Sequence, residues 1–379
     1  VLMTVWPFKQ RGDVIESLAW LTDVFQAKAG EQRTALRAAP RRVFELSHLF
    51  TDYDYSTARA LIRQDQGEDG FAVPDWPQAS VVGAVASGTS VAITLDTTYI
   101  NFGPTALLWE HSGLYEEIDI TVTLTDVTAA TVVNDYTDAR LIPLWGAYCP
   151  NGLSNSRGAG QINQASVQMR VYENQDLAAS TYDQYRGHDV LPSCPVVGGG
   201  SFDESIVWPL SEFDNQTSVP EYIRSRTIPE LEFTMRWHEF TAQGLFELRQ
   251  WLHSRRGRQK VFWFSSRGHD LEPAANIAGT TATVFRQGVM RPESYDIDVT
   301  TKAGVSTYHQ VTAVANGTDV SGRLTTDLTI TPALTLTLAN ISRISYLRCT
   351  RFDADRVELQ HSPSGGTQVQ MPCIEVPLP

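Results

Sequence analysis

Val5-Trp6-Pro7 recurs as Val207-Trp208-Pro209, and Val167-Gln168-Met169 recurs as Val369-Gln370-Met371. The shift is 202 residues in both cases, from 5 to 207 and from 167 to 369, and at that shift Glu173 falls on Glu375. One three-residue match carries little weight. Two at one offset, near the start and end of the same interval, predict a chain built from two copies of one unit. Such a period is read before any local feature, because it decides the architecture.

Between these marks the halves run alongside each other, with small insertions and deletions. In the first half, strand-like Arg42-Val43-Phe44-Glu45-Leu46 leads into an acidic turn at Asp52 and Asp54. A helix is expected through Ala58, Leu61 and Ile62, then Gly67, Gly70 and the short strand Phe71-Ala72-Val73-Pro74. In the second half the strand spans 231–237 and the helix 244–253, with Leu245, Leu248 and Leu252 spaced for one buried face. Gly257 is expected to end that helix, and Val261-Phe262-Trp263-Phe264 is the returning strand.

Each half then enters a long β-rich stretch. Residues 91–95 and 118–124 in the first half alternate with period two, as do 328–331 and 334–338 in the second. Threonine-rich, glycine-punctuated strands of this kind suit a small barrel or sandwich. The expected class is mainly β with minor α. The expected units are 1–77 with 141–174, an insertion at 78–140, a second unit at 207–272 with 346–379, and a second insertion at 273–345. Residues 175–206, with Pro192, Pro195 and Gly198-Gly199-Gly200, read as a linker.

The bulk numbers fit a packed globular chain of two or three domains: 379 residues, 42% apolar and 19% charged. No apolar run has the length of a bilayer span, and the first residues lack the basic region and long apolar stretch of a secretory signal. The expectation is a soluble protein made in a cytoplasm, without membrane insertion. A net charge of −13 argues against a broad basic grip on nucleic acid, though not against a bore past which DNA slides. Cys149, Cys194, Cys349 and Cys373 form no C-x-x-C pair. Ordinary buried thiols are the expected reading, with a long-range cluster site as the alternative.

Catalytic motifs are absent: there is no G-x-S-x-G, H-E-x-x-H, Walker loop or D-x-D-x-D-G calcium loop. Arg-Gly-His-Asp occurs at 186–189 and 267–270, and a His-Asp pair is able to orient a general base, but Gly and Asp also favour tight turns, the reading preferred here. Neighbouring Glu116 and Glu117 point to opposite faces of a strand, and Asp353 and Asp355 sit near a terminal hairpin where solvated carboxylates are expected. Trp208, Trp237, Trp251 and Trp263 read as core; Trp76, Trp109 and Trp145 are the better candidates for contact surfaces. Arg255, Arg256, Arg258 and Lys260 form one sharp basic cluster, which is either a solvated helix end or a contact to an acidic patch on another subunit. No cofactor or metal is expected.

Several of these segments resemble a family of tail proteins of long-tailed bacteriophages, the distal tail and tail hub proteins. The resemblance is carried by Glu31-Gln32-Arg33 with Pro40-Arg41-Arg42-Val43-Phe44-Glu45, by Arg255-Arg256-Gly257-Arg258 followed by Phe262-Trp263-Phe264, and by the closing segments 351–359 and 374–377. It implies a tail-tube-like β-barrel with a flanking helix, repeated around an axis. It also implies a virion protein, assembled in the host cytoplasm, whose partners are the tail tube, tape-measure and hub or fibre proteins, with DNA passing through the lumen. Two units per chain depart from the single unit of a simple distal tail protein. They favour a cyclic trimer acting as a pseudo-hexamer, with a hexamer of chains as the alternative. In such a ring Arg41, Arg42, Arg255, Arg256, Arg258 and Lys260 are the expected inter-subunit contacts. The competing readings are a carbohydrate- or receptor-binding β protein and, behind it, a glycan hydrolase.

Overall fold

The computed structural model of the protein describes residues 3–27, 30–65, 70–158, 162–192, 204–208, 210–214, 216, 219–224, 230–286, 295–363 and 366–377. Gly67, Cys194, Pro195, Gly198, Gly199, Gly200 and Pro209 lie outside them. The chain is mainly β, with two α-helices, and no closed barrel forms among the described residues.

The first half runs β1 (Thr4–Val5), β2 (Val14–Ala19), β3 (Thr22–Gln26), β4 (Glu31–Ala35), β5 (Arg41–Phe50), α1 (Asp52–Asp65) and β6 (Phe71–Pro74). An inserted lobe follows, with β7 (Ser80–Val85), β8 (Gly88–Thr94), β9 (Thr105–Glu110), β10 (Tyr115–Val122) and β11 (Asp126–Val132). The half closes with β12 (Tyr136–Tyr148), β13 (Leu153–Arg157) and β14 (Asn163–Val171). A small hairpin, β15 (Gln184–Tyr185) and β16 (His188–Asp189), then leads to the second half.

That half runs β17 (Glu204–Val207), β18 (Leu210–Phe213), β19 (Glu221–Arg224), β20 (Glu230–Glu239), α2 (Ala242–Arg255) and β21 (Phe262–Ser265). Its inserted lobe holds β22 (Thr281–Phe285), β23 (Tyr295–Thr301), β24 (Ser306–Thr318) and β25 (Leu324–Thr331). It closes with β26 (Ile341–Phe352), β27 (Arg356–Ser362) and β28 (Gly366–Glu375).

The pairings of the second half repeat those of the first. β2 lies on β5 as β17 lies on β20, and β5 on β14 as β20 on β28. β12 bridges β6 and β14 as β26 bridges β21 and β28. The inserted lobes share one order: β8-β11-β10-β9-β12 in the first and β22-β25-β24-β23-β26 in the second.

Register shows which residues correspond. Glu16 faces Phe44 and Glu204 faces Phe233, so Glu16-Ser17-Leu18-Ala19-Trp20 corresponds to Glu204-Ser205-Ile206-Val207-Trp208. The shift there is 188 residues, from 16 to 204. The match of Val5-Trp6-Pro7 to Val207-Trp208-Pro209 is therefore not structural. β1 runs parallel to β6, whereas β17 runs antiparallel to β20. At the closing strand Met169 faces Phe44 and Cys373 faces Phe233, a shift of 204, so the Val-Gln-Met match is two residues out of register. The spacing grows along the chain because the two halves differ in the length of their connections.

Each half folds around its own core. β14 turns Ala165, Val167, Met169 and Val171 inward, where they meet Phe44, Leu46, Ala58, Ile62 and Phe71. In the second half Leu245, Leu248, Trp251 and Leu252 of α2 pack on Phe233, Met235, Phe262 and Phe352. Thr241 caps α2 by accepting from the Gly244 amide, and Thr51 accepts the Asp54 amide in the same way at α1. α2 ends at Arg255. Arg256 and Gly257 then take left-handed conformations, and a Cβ on Gly257 would meet the Asp355 backbone at 3.0 Å.

Two local expectations change. Residues 334–338 do not form a strand; after Pro332, which has no amide hydrogen, only Leu336 makes a bridge, to Ile277. The segment expected as a linker is partly built into the second half. Val190 and Leu191 are buried there, and Asp189 is ion-paired to Arg255.

Candidate assembly interface

The groups weighed above as candidate catalysts are each engaged in contacts within the fold. The four buried histidines are each held in place by a hydrogen bond: His48 accepts from Trp6 Nε1, His253 from the Leu177 amide, His309 bonds Thr307, and His361 bonds Thr367. The first Arg-Gly-His-Asp segment turns at Arg186-Gly187 and runs on into β16, and the second is irregular chain bent at Gly268; Arg186 and Arg267 are at positive φ, and the two aspartates bind Arg255 and Ser266. Glu116 accepts from the Val133 and Asn134 amides, and Asp355 from Thr22 and the Arg258 amide. Among the described residues no three His, Cys, Asp or Glu side chains gather as metal ligands. Cys149, Cys349 and Cys373 are buried, and burial pushes the Cys349 thiol up to about 12.

What the fold does display is a seam between the halves and its two open counterparts. Strands β13-β14-β5-β2-β27-β28-β20-β17 form one antiparallel run. The first four come from the first half, the last four from the second, in the same internal order. The seam is β2 on β27, from Val14 opposite His361 to Ala19 opposite Arg356.

The seam is knitted by buried charge. Glu16 on β2 binds Arg42 Nε at 2.6 Å, His361 Nε2 at 3.0 Å and the guanidinium of Arg249 on α2. Burial alone would raise its carboxyl, but Arg249 and Arg42 hold it well below the usual carboxylate range. Arg42 continues the network to Asp75 at 2.5 Å, and Asp75 accepts from Gln78 and Trp145. Beside this, Leu18 and Trp20 enter the second half's core, and Trp20 packs edge-on to His253 at 5.6 Å. The β3–β4 hairpin reaches further across: Glu31 grips Arg351 at 2.8 Å, both side chains being 1% exposed. Thr22 binds Asp355 through its amide and hydroxyl, and Arg258 donates to the Thr22 carbonyl.

The basic residues expected to contact other subunits are largely used within the chain. Arg255 is buried on Asp189 at 2.6 Å and donates to the Val261 carbonyl, and Arg42 is held by Glu16 and Asp75. Neither is available to a neighbour, because a buried guanidinium needs its carboxylate where it is. Arg256 binds Asp176 and Arg258 binds Asp355. Arg41 and Lys260 are exposed.

The tryptophan assignment holds for three of the four expected core residues and changes for Trp208, Trp109 and Trp145. Trp109 and Trp145 are core; Trp76 packs edge-on to Trp109 at 5.5 Å, and Trp145 donates to Asp75. Trp237, Trp251 and Trp263 are core as expected, but Trp208 is 39% exposed, with Arg224 over its ring. Trp208 directly follows the end strand β17, as Trp20 follows β2, but it lacks the burial that the second half gives Trp20.

The residues that sequence reading missed are Glu16 and Arg249 in the seam, with Glu204 and Arg59 at the corresponding open positions. The signal was present in the Glu-Ser-x-x-Trp pair at 16–20 and 204–208, hidden by the accidental Val-Trp-Pro match. No protein-family model matches the chain, and a search of curated proteins finds no similar sequence.

Proposed function

We propose that the chain is a structural component of a bacteriophage tail tip, forming a ring that continues the tail tube. The observation that carries the ring is the order of the eight-strand run. It reads as one four-strand unit placed head to tail after another, so it leaves β17 and β13 as unlike, complementary ends. A head-to-tail contact repeated between copies yields a closed ring or an open fibre, depending on the rotation. Closure also removes the exposed edges that a β-rich chain must otherwise protect.

The tail assignment is supported by the resemblance of residues 31–33 with 40–45, 255–258 with 262–264, and 351–359 with 374–377 to distal tail and hub proteins. In this reading each half is one tube-wall unit. Three chains then supply six units, with tube, tape-measure and hub or fibre proteins above and below. The net charge of −13 suits a lumen through which DNA passes without sticking. An axial image of the assembled tip, with its native mass, tests the proposal. Three chains per ring are expected. Six chains would remove the pseudo-hexamer and leave the tail role. A single chain off the axis of an intact particle would overturn both.

A further inference from the structure

We infer that the open edge of the second half docks on the first half of another copy, repeating residue for residue the seam inside the chain. This deepens the ring reading and rests on it; the partner is a second copy of this chain, and the contact is specific enough to name its pairs.

The first line of support is the state of corresponding residues. Leu18 and Trp20 are buried in the seam at 1% and 3%; at the corresponding places Ile206 on β17 and Trp208 just after it are 64% and 39% exposed. The β3–β4 hairpin is pinned across the seam by Glu31, whereas every residue of β18 and β19 is exposed. That second hairpin carries Leu210, Phe213, Tyr222 and Ile223 into solvent. A hairpin so placed, with so many large apolar side chains, is the arm of an association awaiting its surface.

The receiving surface is the second line. The Thr51 and Thr241 caps align α1 with α2, which sets Ala58 against Leu248, Ile62 against Leu252 and Arg59 against Arg249. The first two pairs are buried in both halves. Arg249 is buried on Glu16, while Arg59 is exposed. Glu204, the counterpart of Glu16, is 45% exposed, and among the described residues its ion pair is a loose one with Arg348, at 3.7 Å. Repeating the seam brings Glu204 of one copy to Arg59 of the next.

Register gives a backbone pair as well. Leu18 faces Val357 across the seam. Ile206 corresponds to Leu18, and Leu153 corresponds to Val357 through the β14 and β28 registers. β17 therefore pairs with β13 of the neighbour, with Ile206 opposite its Leu153. Tyr148, at the place of Arg351, is exposed where the β18–β19 hairpin would lie.

The test uses the full chain. Ile206→Cys combined with Leu153→Cys should give disulfide-linked multimers on mild oxidation, since facing strand residues have Cβ atoms about 4.5–5.5 Å apart. Each single variant should not. Separately, Glu204→Arg or Arg59→Glu should shift the native mass towards single chains, and the two together should restore assembly. Both positions are exposed in the chain, and an unchanged thermal melt of the dispersed variants confirms folding. Wild-type rings that persist in both charge variants and give no cross-link would overturn this interface while leaving the ring intact. Failure of the wild-type chain to assemble at any concentration would overturn the ring reading itself, and the interface with it.

Discussion

Glu16 and Arg249 stand 233 residues apart in sequence and meet in a buried ion pair, one on each side of the seam. Their carboxylate and guanidinium are 1% and 5% exposed, so Arg249 replaces water at Glu16 together with Arg42 and His361. Removing one partner strands the other charge in the interior. Glu16→Gln is expected to cost about 3–5 kcal/mol in urea unfolding. Replacing both, as Glu16→Leu with Arg249→Met, should cost much less than the two single changes added. A strictly additive cycle would mean that the pair does not hold the seam.

The Glu31–Arg351 pair predicts a second, contrasting result. Arg351→Met should destabilise the chain by about 3–5 kcal/mol, because Glu31 would be left buried without its bidentate partner. Arg323→Ala removes a pair of similar length, 2.9 Å to Glu272, but both side chains are about half exposed. That change should cost no more than about 1 kcal/mol. Similar losses for the two would remove burial as the reason.

Leu248 lies on the buried face of α2 at 3% exposure, within the largest core cluster. Leu248→Ala should lower stability by about 2–5 kcal/mol, the range for large-to-small core changes. A loss below about 1 kcal/mol on denaturant unfolding would place that face outside the core.

Acid should weaken the fold through two histidines. Burial lowers the pKa of both His48 and His253 to about 4. Each uses a ring nitrogen as an acceptor, from Trp6 Nε1 and from the Leu177 amide, which an imidazolium cannot do. The folded state therefore binds these protons less readily than the unfolded state. Their contribution is complete above about pH 6.5 and declines as pH falls towards 4, by up to roughly 3 kcal/mol each. Urea midpoints measured between pH 7.5 and 4.5 should drop, and His48→Gln should make the drop shallower. A flat wild-type profile would contradict this.

The sequence by itself determined most of the local elements, whereas the two triplet matches at shift 202 proved accidental or out of register. Leu245, Leu248 and Leu252 mark a helix face because their spacing matches the α-helical period, and the period-two runs mark strands, since both patterns are properties of neighbouring residues. Residues 334–338 show the limit: the alternation is present, but a strand also needs a partner, and Pro332 and the fold provide only one bridge. The tertiary structure alone decided which charges are solvated. Arg255 looks like part of an exposed basic helix end, yet it is buried because Asp189, 66 residues earlier, folds back onto it. It also decided the true correspondence of the halves. Trp20 and Trp208 occupy equal places in their units, but one is covered and the other exposed. What covers a residue depends on which unit packs beside it, and that contact joins segments far apart in the sequence, as β27 of the second half does for β2.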